Sequence, residues 1–379
     1  MRTKALLALA GIALAASACT MSRAATVSAT SDLSGQGPIT VAVSEEHSTD
    51  TLRGQVEVWN SEHPDQAVTI SVLPTDDSER YSQVRQDAHN GDNAIIEIDT
   101  AHLSEFADMG WLSKIPTSAF DTAQFFSASM SATRIGNDMY AAPYAVDTLS
   151  LHYRKDLVPT PPETWGELTD ICAAHPEMSC LHAPVRPGEG LAEAVLSLAS
   201  AQTGGIRDLE PTVNQLATGP LVGKDLPKSA HRAAFANGDG LFLLDDIEAS
   251  STSPQFGVTD ALLSPAGKPL LSVTGLAIPD SAFHKKTALD FLTYITDRAP
   301  AQARATNDGL PPAYPNLYGD TQDTYLAMLD NVFAEHSTAA SRPAGNWTTS
   351  VEHELQQVFT GEQTANDACH ALASLLPSG

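Results

Sequence analysis

Acidic side chains follow two of the strands that the sequence predicts. Glu45 and Glu46 lie in the loop after the alternating strand Ile39–Val43, and Asp99 ends the apolar strand Ala94–Ile98. In an open α/β sheet, the loops at the carboxyl ends of the strands line the ligand crevice. A carboxylate there can accept hydrogen bonds from neighbouring hydroxyl groups, although Asp99 could equally cap a following helix. These acids are therefore candidates for contact with a polar ligand, and which of Glu45 and Glu46 points inward stays open.

The chain lacks the short motifs of common hydrolases and nucleotide-binding enzymes. It contains no Gly-x-Ser-x-Gly elbow, no His-Glu-x-x-His pair and no Gly-x-x-x-x-Gly-Lys loop. His353-Glu354 begins a zinc-like pattern, but no second histidine follows at the required spacing. The twelve histidines are scattered, which leaves open a metal site built from several converging side chains. We expect no enzyme, no cofactor and no catalytic or metal-ligating residues.

Four cysteines are present, and two of them are close in sequence. Cys172 and Cys180 could close a small loop as a disulfide, which is typical of an exported protein. Cys369 lies on the apolar face of a predicted final helix and is expected to be a buried thiol. Its pairing with Cys172 or Cys180 stays an alternative.

The charge balance excludes one class of partner. The chain has 379 residues and a formal net charge of −25, and 42% of its residues are hydrophobic. Such an excess of negative charge repels nucleic acid and keeps the protein soluble. A chain of this length is expected to divide into two domains.

The N-terminus has the composition of an export signal. Arg2 and Lys4 precede an apolar run from Ala5 to Ala16, which is too short for a spanning helix. Ala16-Ser17-Ala18 before Cys19 resembles the lipobox of bacterial lipoproteins, with alanine at a position where leucine is usual. We therefore expect a signal peptide over residues 1–18 and lipid on Cys19, with an ordinary cleaved signal as the alternative. Residues 19–38, rich in Ser, Thr, Ala and Gly, are expected to form a flexible tether.

The elements that must position the acids alternate between strands and helices. Strand patterns at 39–43, 68–72, 94–98, 241–244 and 271–278 are separated by helical patterns, among them 81–89, 191–201, 287–295 and 365–376. Thr164 with Glu167 forms a capping-box pattern at the start of another helix. This alternation predicts an α/β fold with parallel strand pairing.

Several motifs occur in the order found in a known family, the family 1 extracellular solute-binding proteins, which are sugar-binding components of ABC importers. The chain resembles this family in Tyr140–Asp147 followed by Tyr153–Leu157, in Thr164–Leu168, in Glu189-Gly190-Leu191 and in Leu310-Pro311-Pro312. Asp99–Ala107 with Gly110-Trp111-Leu112, Gly204-Gly205 and Arg342-Pro343 are also similar to the family pattern. Together these segments span nearly the whole chain after the tether.

The resemblance implies a two-lobed α/β fold of the periplasmic-binding-protein type, with a ligand cleft between the lobes. Residues 39–146 and 273–318 would form the N-terminal lobe. Residues 147–272 and 319–379 would form the C-terminal lobe. It also implies a monomer that is held outside the cytoplasmic membrane by its lipid and passes its solute to the permease subunits of an ABC importer.

The resemblance also implies which residues touch the ligand. The positions that match are Asp147, Asp99, Glu189, Glu45, Glu46 and Arg342, and His102 stands at a place where the family often has tryptophan. Tyr144 and Trp347 are possible ring contacts, and each could equally be a core residue. Asp147 could instead stabilise the hinge, Glu189 could cap a helix, and Arg342 could pair with an acid.

The aromatic platforms expected of the family are changed. Besides His102, Asp245-Asp246-Ile247 stands where Asn-Trp-Pro is common, and Ser272–Gly275 replaces a Gly-Gly-Trp segment. A mono- or oligosaccharide is the expected ligand. A non-sugar polar or cationic ligand, or a ligand-free scaffolding lipoprotein of the same fold, is the alternative.

Overall fold

The computed structural model describes residues 32–75, 77–183, 185, 209–223, 226–246, 256–260, 271–319, 326–327, 329–330 and 347–375. Its strands are β1 Ile39–Val43, β2 Val68–Val72, β3 Ile95–Asp99, β4 Arg134–Ile135, β5 Asp138–Met139, β6 Ala141–Asp147, β7 Leu149–Arg154, β8 Leu181–His182, β9 Leu221–Val222, β10 Phe242–Asp246, β11 Phe256–Asp260 and β12 Ser272–Ala277. The predicted helix at 191–201 lies outside the described residues.

The α-helices are α1 Asp50–Glu62, α2 Asp77–Asn90, α3 Leu103–Asp108, α4 Ser127–Ala132, α5 Trp165–Ala174, α6 Leu209–Thr218, α7 Lys228–Ala236, α8 Lys285–Ile295, α9 Arg298–Asp308, α10 Trp347–Thr360 and α11 Ala365–Leu375. Local sequence explains where several of them begin. The Thr49 side chain accepts a hydrogen bond from the Leu52 amide at the start of α1, and the Thr164 side chain accepts one from the Glu167 amide at the start of α5. The predicted cap at Thr164 is thus confirmed.

Two five-stranded sheets organise the chain. The first has the strand order β2-β1-β3-β12-β6 and the second has the order β11-β7-β10-β8-β9. In the first sheet β1 pairs in parallel with β2 and β3, whereas β12 runs antiparallel between β3 and β6. Strands β4 and β5 form a separate hairpin. The predicted α/β architecture is therefore observed, with one antiparallel strand inserted in an otherwise parallel sheet.

Each sheet has its own apolar core. The largest core cluster packs α1, α8 and α9 against the first sheet, with Trp59, Phe291 and Leu292 buried in it. A second cluster covers one face of the second sheet and includes Phe242 and Leu355. The division of the core matches the division of the strands, because each amphipathic helix buries its apolar stripe against the nearest sheet.

The chain passes from one sheet to the other within a single residue. Strand β6 ends at Asp147 and β7 begins at Leu149, so that only the buried Thr148 separates them. The segment at Pro311-Pro312 lies beside this crossing, because the Val146 amide donates to the Pro311 carbonyl and Pro312 forms a bridge with Ala145. No helix among the described residues has the length and apolar character that a membrane span requires.

Candidate ligand-binding site

Topology brings the predicted acids of the first sheet to one edge. Strands β1 and β3 are parallel, and β6 runs in the same direction because both β3 and β6 pair antiparallel with β12. Their carboxyl ends therefore lie side by side, with Glu45 and Glu46 after β1, Asp99 at the end of β3 and Asp147 at the end of β6. This is the edge at which open α/β sheets bind ligands.

Hydrogen bonds orient three of these carboxylates. Oε2 of Glu45 accepts from the Thr75 hydroxyl at 2.7 Å. Oδ1 of Asp99 accepts from the Ala101 amide at 2.8 Å and so caps the short 3₁₀ helix Thr100–His102. Oδ1 of Asp147 accepts from the Thr148 amide at 2.7 Å. The capping role that was the alternative for Asp99 is observed, and it leaves the side chain exposed at the sheet edge.

A buried ion pair fixes the turn that carries Glu45 and Glu46. Nδ1 of His47 lies 2.8 Å from Oε2 of Glu97 on β3, with the His47 and Glu97 side chains only 5% and 10% exposed. The Ser44 amide donates to the same carboxylate at 3.1 Å. Burial alone would raise the pKa of Glu97, but His47 and the Ser44 hydrogen bonds outweigh it and hold that pKa below its ordinary value. The turn is therefore anchored to the interior of the sheet by a charged carboxylate.

Tyr144 lies inside the first sheet's core. It is the extra residue of a β-bulge in β6, since Pro143 pairs with Gly275 and Ala145 with Thr274. Its ring is 2% exposed. Burial raises the pKa of its hydroxyl. The bulge thus turns the Tyr144 ring toward buried partners, and its role as a ring contact for ligand stays a prediction.

Two of those partners come from separate elements. The His47 imidazole packs edge-on against the Tyr144 ring at 5.5 Å, and the guanidinium carbon of Arg304 lies 4.5 Å from the ring centroid. Nη1 of Arg304 donates to Oε1 of Gln55 at 2.8 Å. Tyr144 therefore links the β1 turn to α9 underneath the sheet edge.

His102 belongs to an aromatic cluster. Its imidazole centroid lies 4.6 Å from the Tyr81 ring and 6.5 Å from the Phe106 ring. The Tyr81 hydroxyl donates to Glu105, and burial is the main reason that its pKa is raised to about 12. Within the described residues no three His, Cys, Asp or Glu side chains are grouped so that they could hold a metal ion.

The second sheet presents its own polar edge at the crossing. Asp245 on β10 pairs with Ser150 on β7, and the Ser150 hydroxyl donates to the Asp245 carbonyl at 3.2 Å. The Asp245 side chain is 1% exposed and receives two hydrogen bonds from Arg232 of α7, at 2.6 Å from Nε and 3.2 Å from Nη2. Burial of this carboxylate is thus compensated by a bidentate charged partner.

Arg232 also reaches the first sheet. Its Nη1 lies 3.9 Å from Oε1 of Glu46, and both side chains are partly exposed. This contact joins the acidic turn after β1 to the helix that covers the second sheet. No local motif in the sequence marks Arg232, because a tertiary ion pair with Asp245 sets its position.

The other predicted residues are the four cysteines, Glu189, Arg342 and Trp347. Cys19, Glu189 and Arg342 lie outside the described residues, and Trp347 begins α10 with its side chain outside them. Cys172 and Cys180 are joined in a disulfide, with 5.4 Å between their Cα atoms. Cys369 is a half-buried thiol, and burial raises its pKa to about 11.

A groove elsewhere on the first sheet's helices is separate from this edge. Its walls include Trp59 and His63 at the end of α1 and Leu289 and Thr293 on α8. Helix α1 begins at the carboxyl edge of β1 and runs away from it, so Trp59 and His63 lie toward the opposite edge of the sheet. We place the candidate site at the carboxyl edge because the acids and the inter-sheet contact converge there.

The chain is similar to one known protein family. Residues 55–220 match the family model for bacterial extracellular solute-binding proteins. The resemblance predicted from the motifs is confirmed, because the chain is similar to bacterial extracellular solute-binding proteins over these residues and in its fold. Proteins of this class bind solutes outside the cytoplasm and are not enzymes.

Individual proteins of this kind are similar to the chain in sequence or in fold. The probable ABC transporter-binding protein of Deinococcus radiodurans is 22% identical over 285 residues, which cover 64% of this chain and 67% of that protein. The maltose-bound MalE3 of T. maritima is 20% identical with a TM-score of 0.78, over 89% of this chain and 98% of its own. An ABC transporter solute-binding protein from Thermotoga lettingae, bound with alpha-D-tagatose, is 15% identical with a TM-score of 0.79 and the same coverage. These structures confirm the predicted two-lobed α/β fold.

Proposed function

We propose that the protein captures a small carbohydrate in the cleft between its lobes and delivers it to an ABC importer. One observation carries the proposal. The polar carboxyl edge of the first sheet and the Asp245–Arg232 edge of the second meet at a one-residue crossing, in a fold whose solved relatives hold maltose and tagatose. Carboxylates and a guanidinium supply the acceptors and donors that sugar hydroxyls require.

Binding in such a cleft gains affinity from closure. When two lobes close on a small ligand, the ligand's polar groups leave water and meet fixed hydrogen-bonding partners. In this proposal Asp147, Asp99, Glu45 and Glu46 contribute from the first sheet's edge, with Glu189, Arg342, Trp347, Tyr144 and His102 as further candidates. The lobes are those expected from the resemblance, 39–146 with 273–318 and 147–272 with 319–379.

The chain is also proposed to be a lipoprotein. Signal cleavage before Cys19 and lipid on that cysteine would hold the binder at the outer face of the cytoplasmic membrane, as a monomer beside its permease. The tether expected over residues 19–38 would keep the local concentration of the binder high next to its partner. Its last residues are part of the folded body, because the Gly37 amide donates to the Thr287 hydroxyl and the Lys286 amide donates to the Gly35 carbonyl.

Calorimetry on the full chain tests the binding. The protein would be purified from membranes in detergent and titrated with maltose, D-tagatose and amino acids as non-sugar solutes. We expect binding to one or more of the sugars, weakened at least about tenfold by Asp147→Ala because a hydrogen bond to a charged group is lost. Binding only to amino acids, or to nothing despite a cooperative thermal melt, would favour the non-sugar binder or the scaffolding lipoprotein.

Fractionation tests the anchor. Cys19→Ala is expected to move the protein from the membrane fraction to the soluble extracytoplasmic fraction, because a single residue provides the attachment point. Cys369→Ala serves as the matched control and should leave the protein at the membrane. Retention of the Cys19→Ala variant in the membrane fraction would contradict lipid anchoring.

A further inference from the structure

Arg232 is held in position more firmly than an ordinary surface arginine. Its Nε and Nη2 atoms donate to the two oxygens of Asp245, a carboxylate that is 1% exposed. An unpaired charge at such depth would be costly, so this bidentate contact restrains both partners. The planar guanidinium leaves Nη1 on its outer side, and that side faces the first sheet.

The group that faces Nη1 of Arg232 is the carboxylate of Glu46, in the turn after β1 of the first sheet. Oε1 of Glu46 lies 3.9 Å away, which is longer than the 2.7–3.2 Å of a direct hydrogen bond. Glu46 is 64% exposed in its side chain and sits on the turn that the His47–Glu97 pair anchors. A donor fixed to one lobe and an acceptor fixed to the other therefore face each other at the crossing.

Arg232 and Glu46 together favour an uncharged ligand that carries hydroxyl groups. A hydroxyl placed between them accepts a hydrogen bond from Arg232 and donates one to Glu46. A carboxylate or phosphate there would be attracted by Arg232 but repelled by Glu46, and an ammonium would be attracted by Glu46 but repelled by Arg232, so neither would recover the cost of removing its charge from water. With two hydrogen bonds of about 2.8 Å, the inserted oxygen needs the two side chains only slightly farther apart than they are now.

We propose that Arg232, locked by Asp245, is a specificity-determining ligand contact. With Glu46 it holds a hydroxyl of a neutral sugar between the lobes and discriminates against uronic acids and amino sugars. The proposal rests on the sugar-binding function proposed above. It adds a residue from the second sheet to the site and narrows the class of ligand.

Calorimetry on the full chain in detergent tests whether Arg232 determines ligand specificity. The probes are maltose and D-tagatose, with D-glucuronate and D-glucosamine as charged sugars. Because Arg232→Gln alone would leave Asp245 buried without its partner, the main variant combines Arg232→Gln with Asp245→Asn. We expect the wild type to bind a neutral sugar at least about tenfold more tightly than either charged one, and the double variant to lose about 10- to 100-fold in affinity. Glu46→Gln should weaken the neutral sugar and reduce the discrimination against D-glucuronate.

A second arginine–aspartate pair provides the matched control. Arg154 at the end of β7 makes the same two-point contact with Asp156, away from the crossing. Arg154→Gln with Asp156→Asn should leave affinity unchanged. Unaltered affinity in the Arg232/Asp245 variant, or tighter wild-type binding of a charged sugar, would overturn this inference while sugar binding stands. Absence of binding to every sugar would overturn both proposals together.

Discussion

Glu97 shows what a single residue does at the candidate site. It is a charged carboxylate inside the first sheet, and it holds the turn with Glu45 and Glu46 through His47 and the Ser44 amide. Such a pair fixes the position of the turn but adds little to the free energy of unfolding, because the cost of removing both charges from water offsets most of their attraction. Removing one partner is different, because the other is then buried without its hydrogen-bonding partner.

We therefore expect Glu97→Gln to lower the free energy of unfolding by about 3 kcal/mol. His47→Gln combined with Glu97→Gln should cost less, since no charge is left unpaired. The folded-state pKa of Glu97 lies below its ordinary value, so its contribution is present above the unfolded-state pKa and is lost as the pH falls through the folded-state value. Urea denaturation at pH 7 and at pH 3 measures both effects. A Glu97→Gln variant as stable as the wild type at pH 7 would contradict the role given to this pair.

For single residues, the sequence predicted which ones lie at the candidate site better than it predicted which side chains they contact. Asp99 was expected either at a ligand or as a cap, and the structure shows the cap together with a place at the sheet edge. Tyr144 follows a proline in a crossing strand, but the bulge that turns its ring into the core depends on β12, which is far away in sequence. Arg232 was missed because its partner Asp245 is brought to it by the packing of α7 on the second sheet.

Helix α7 buries two histidines against the second sheet. Nδ1 of His231 on α7 lies 3.1 Å from Nδ1 of His182 on β8, and both residues are almost fully buried. Burial lowers the pKa of both, and the charge of His182 lowers the pKa of His231 further, whereas Asp239 and Asp245 act in the opposite direction. One neutral ring can donate to the other across this contact, but two protonated rings cannot.

This element should make stability depend on pH. Because the folded-state pKa values are lowered, the stability from the neutral pair is fully present above the ordinary histidine pKa of about 6.5 and is lost as the pH falls below it. We expect the free energy of unfolding to drop between pH 7.5 and pH 5, and His231→Leu to make that drop smaller. His353→Gln, at an exposed position on α10, is the control. The same pH dependence in His231→Leu and in the wild type would exclude the pair as its source.

The turn before β10 requires a glycine, because its backbone packs directly against His182 of the histidine pair. Gly240 has φ of +105°, and a Cβ there would lie 2.5 Å from Cδ2 of His182. Gly240→Ala should therefore lower the free energy of unfolding by about 2 kcal/mol. Gly54→Ala in α1, where nothing lies within 4 Å of the added Cβ, should instead stabilise by about 0.5 kcal/mol. Chemical denaturation of the two variants provides the comparison, and equal effects would contradict this account.

Elements with strong local patterns were the ones that the sequence predicted well. Strands β1 and β2 have the predicted bounds, and β3, β10, β12 and α8 begin or end within a few residues of them. Helix α9 was not predicted, because its Ala- and Arg-rich sequence has little apolar periodicity and is held by its packing against α1 and the first sheet. The short strands β8 and β9 carry two residues each and are defined only by their neighbours.

At the scale of the whole molecule, a one-residue crossing at Thr148 joins the sheets. A short connection limits the relative movement of two lobes to rotation about a few backbone bonds. If the lobes close on a sugar, the radius of gyration measured by small-angle X-ray scattering should decrease when the sugar found by calorimetry is added. The Arg154/Asp156 variant should show the same decrease. A radius unchanged at saturating sugar would contradict closure.

The place of β12 in the first sheet constrains the order in which the molecule can form. It lies between β3 and β6, yet it is made only after every described strand of the second sheet. During N-terminus-first emergence, β3 presents an open edge and β6 has no strand to pair with until residue 277 has appeared. Late, long-range pairing of this kind slows folding and exposes an unpaired strand edge in the meantime. The second sheet, continuous in sequence from β7 to β11, can therefore complete itself first, and the first sheet, which begins the chain, is the last to close.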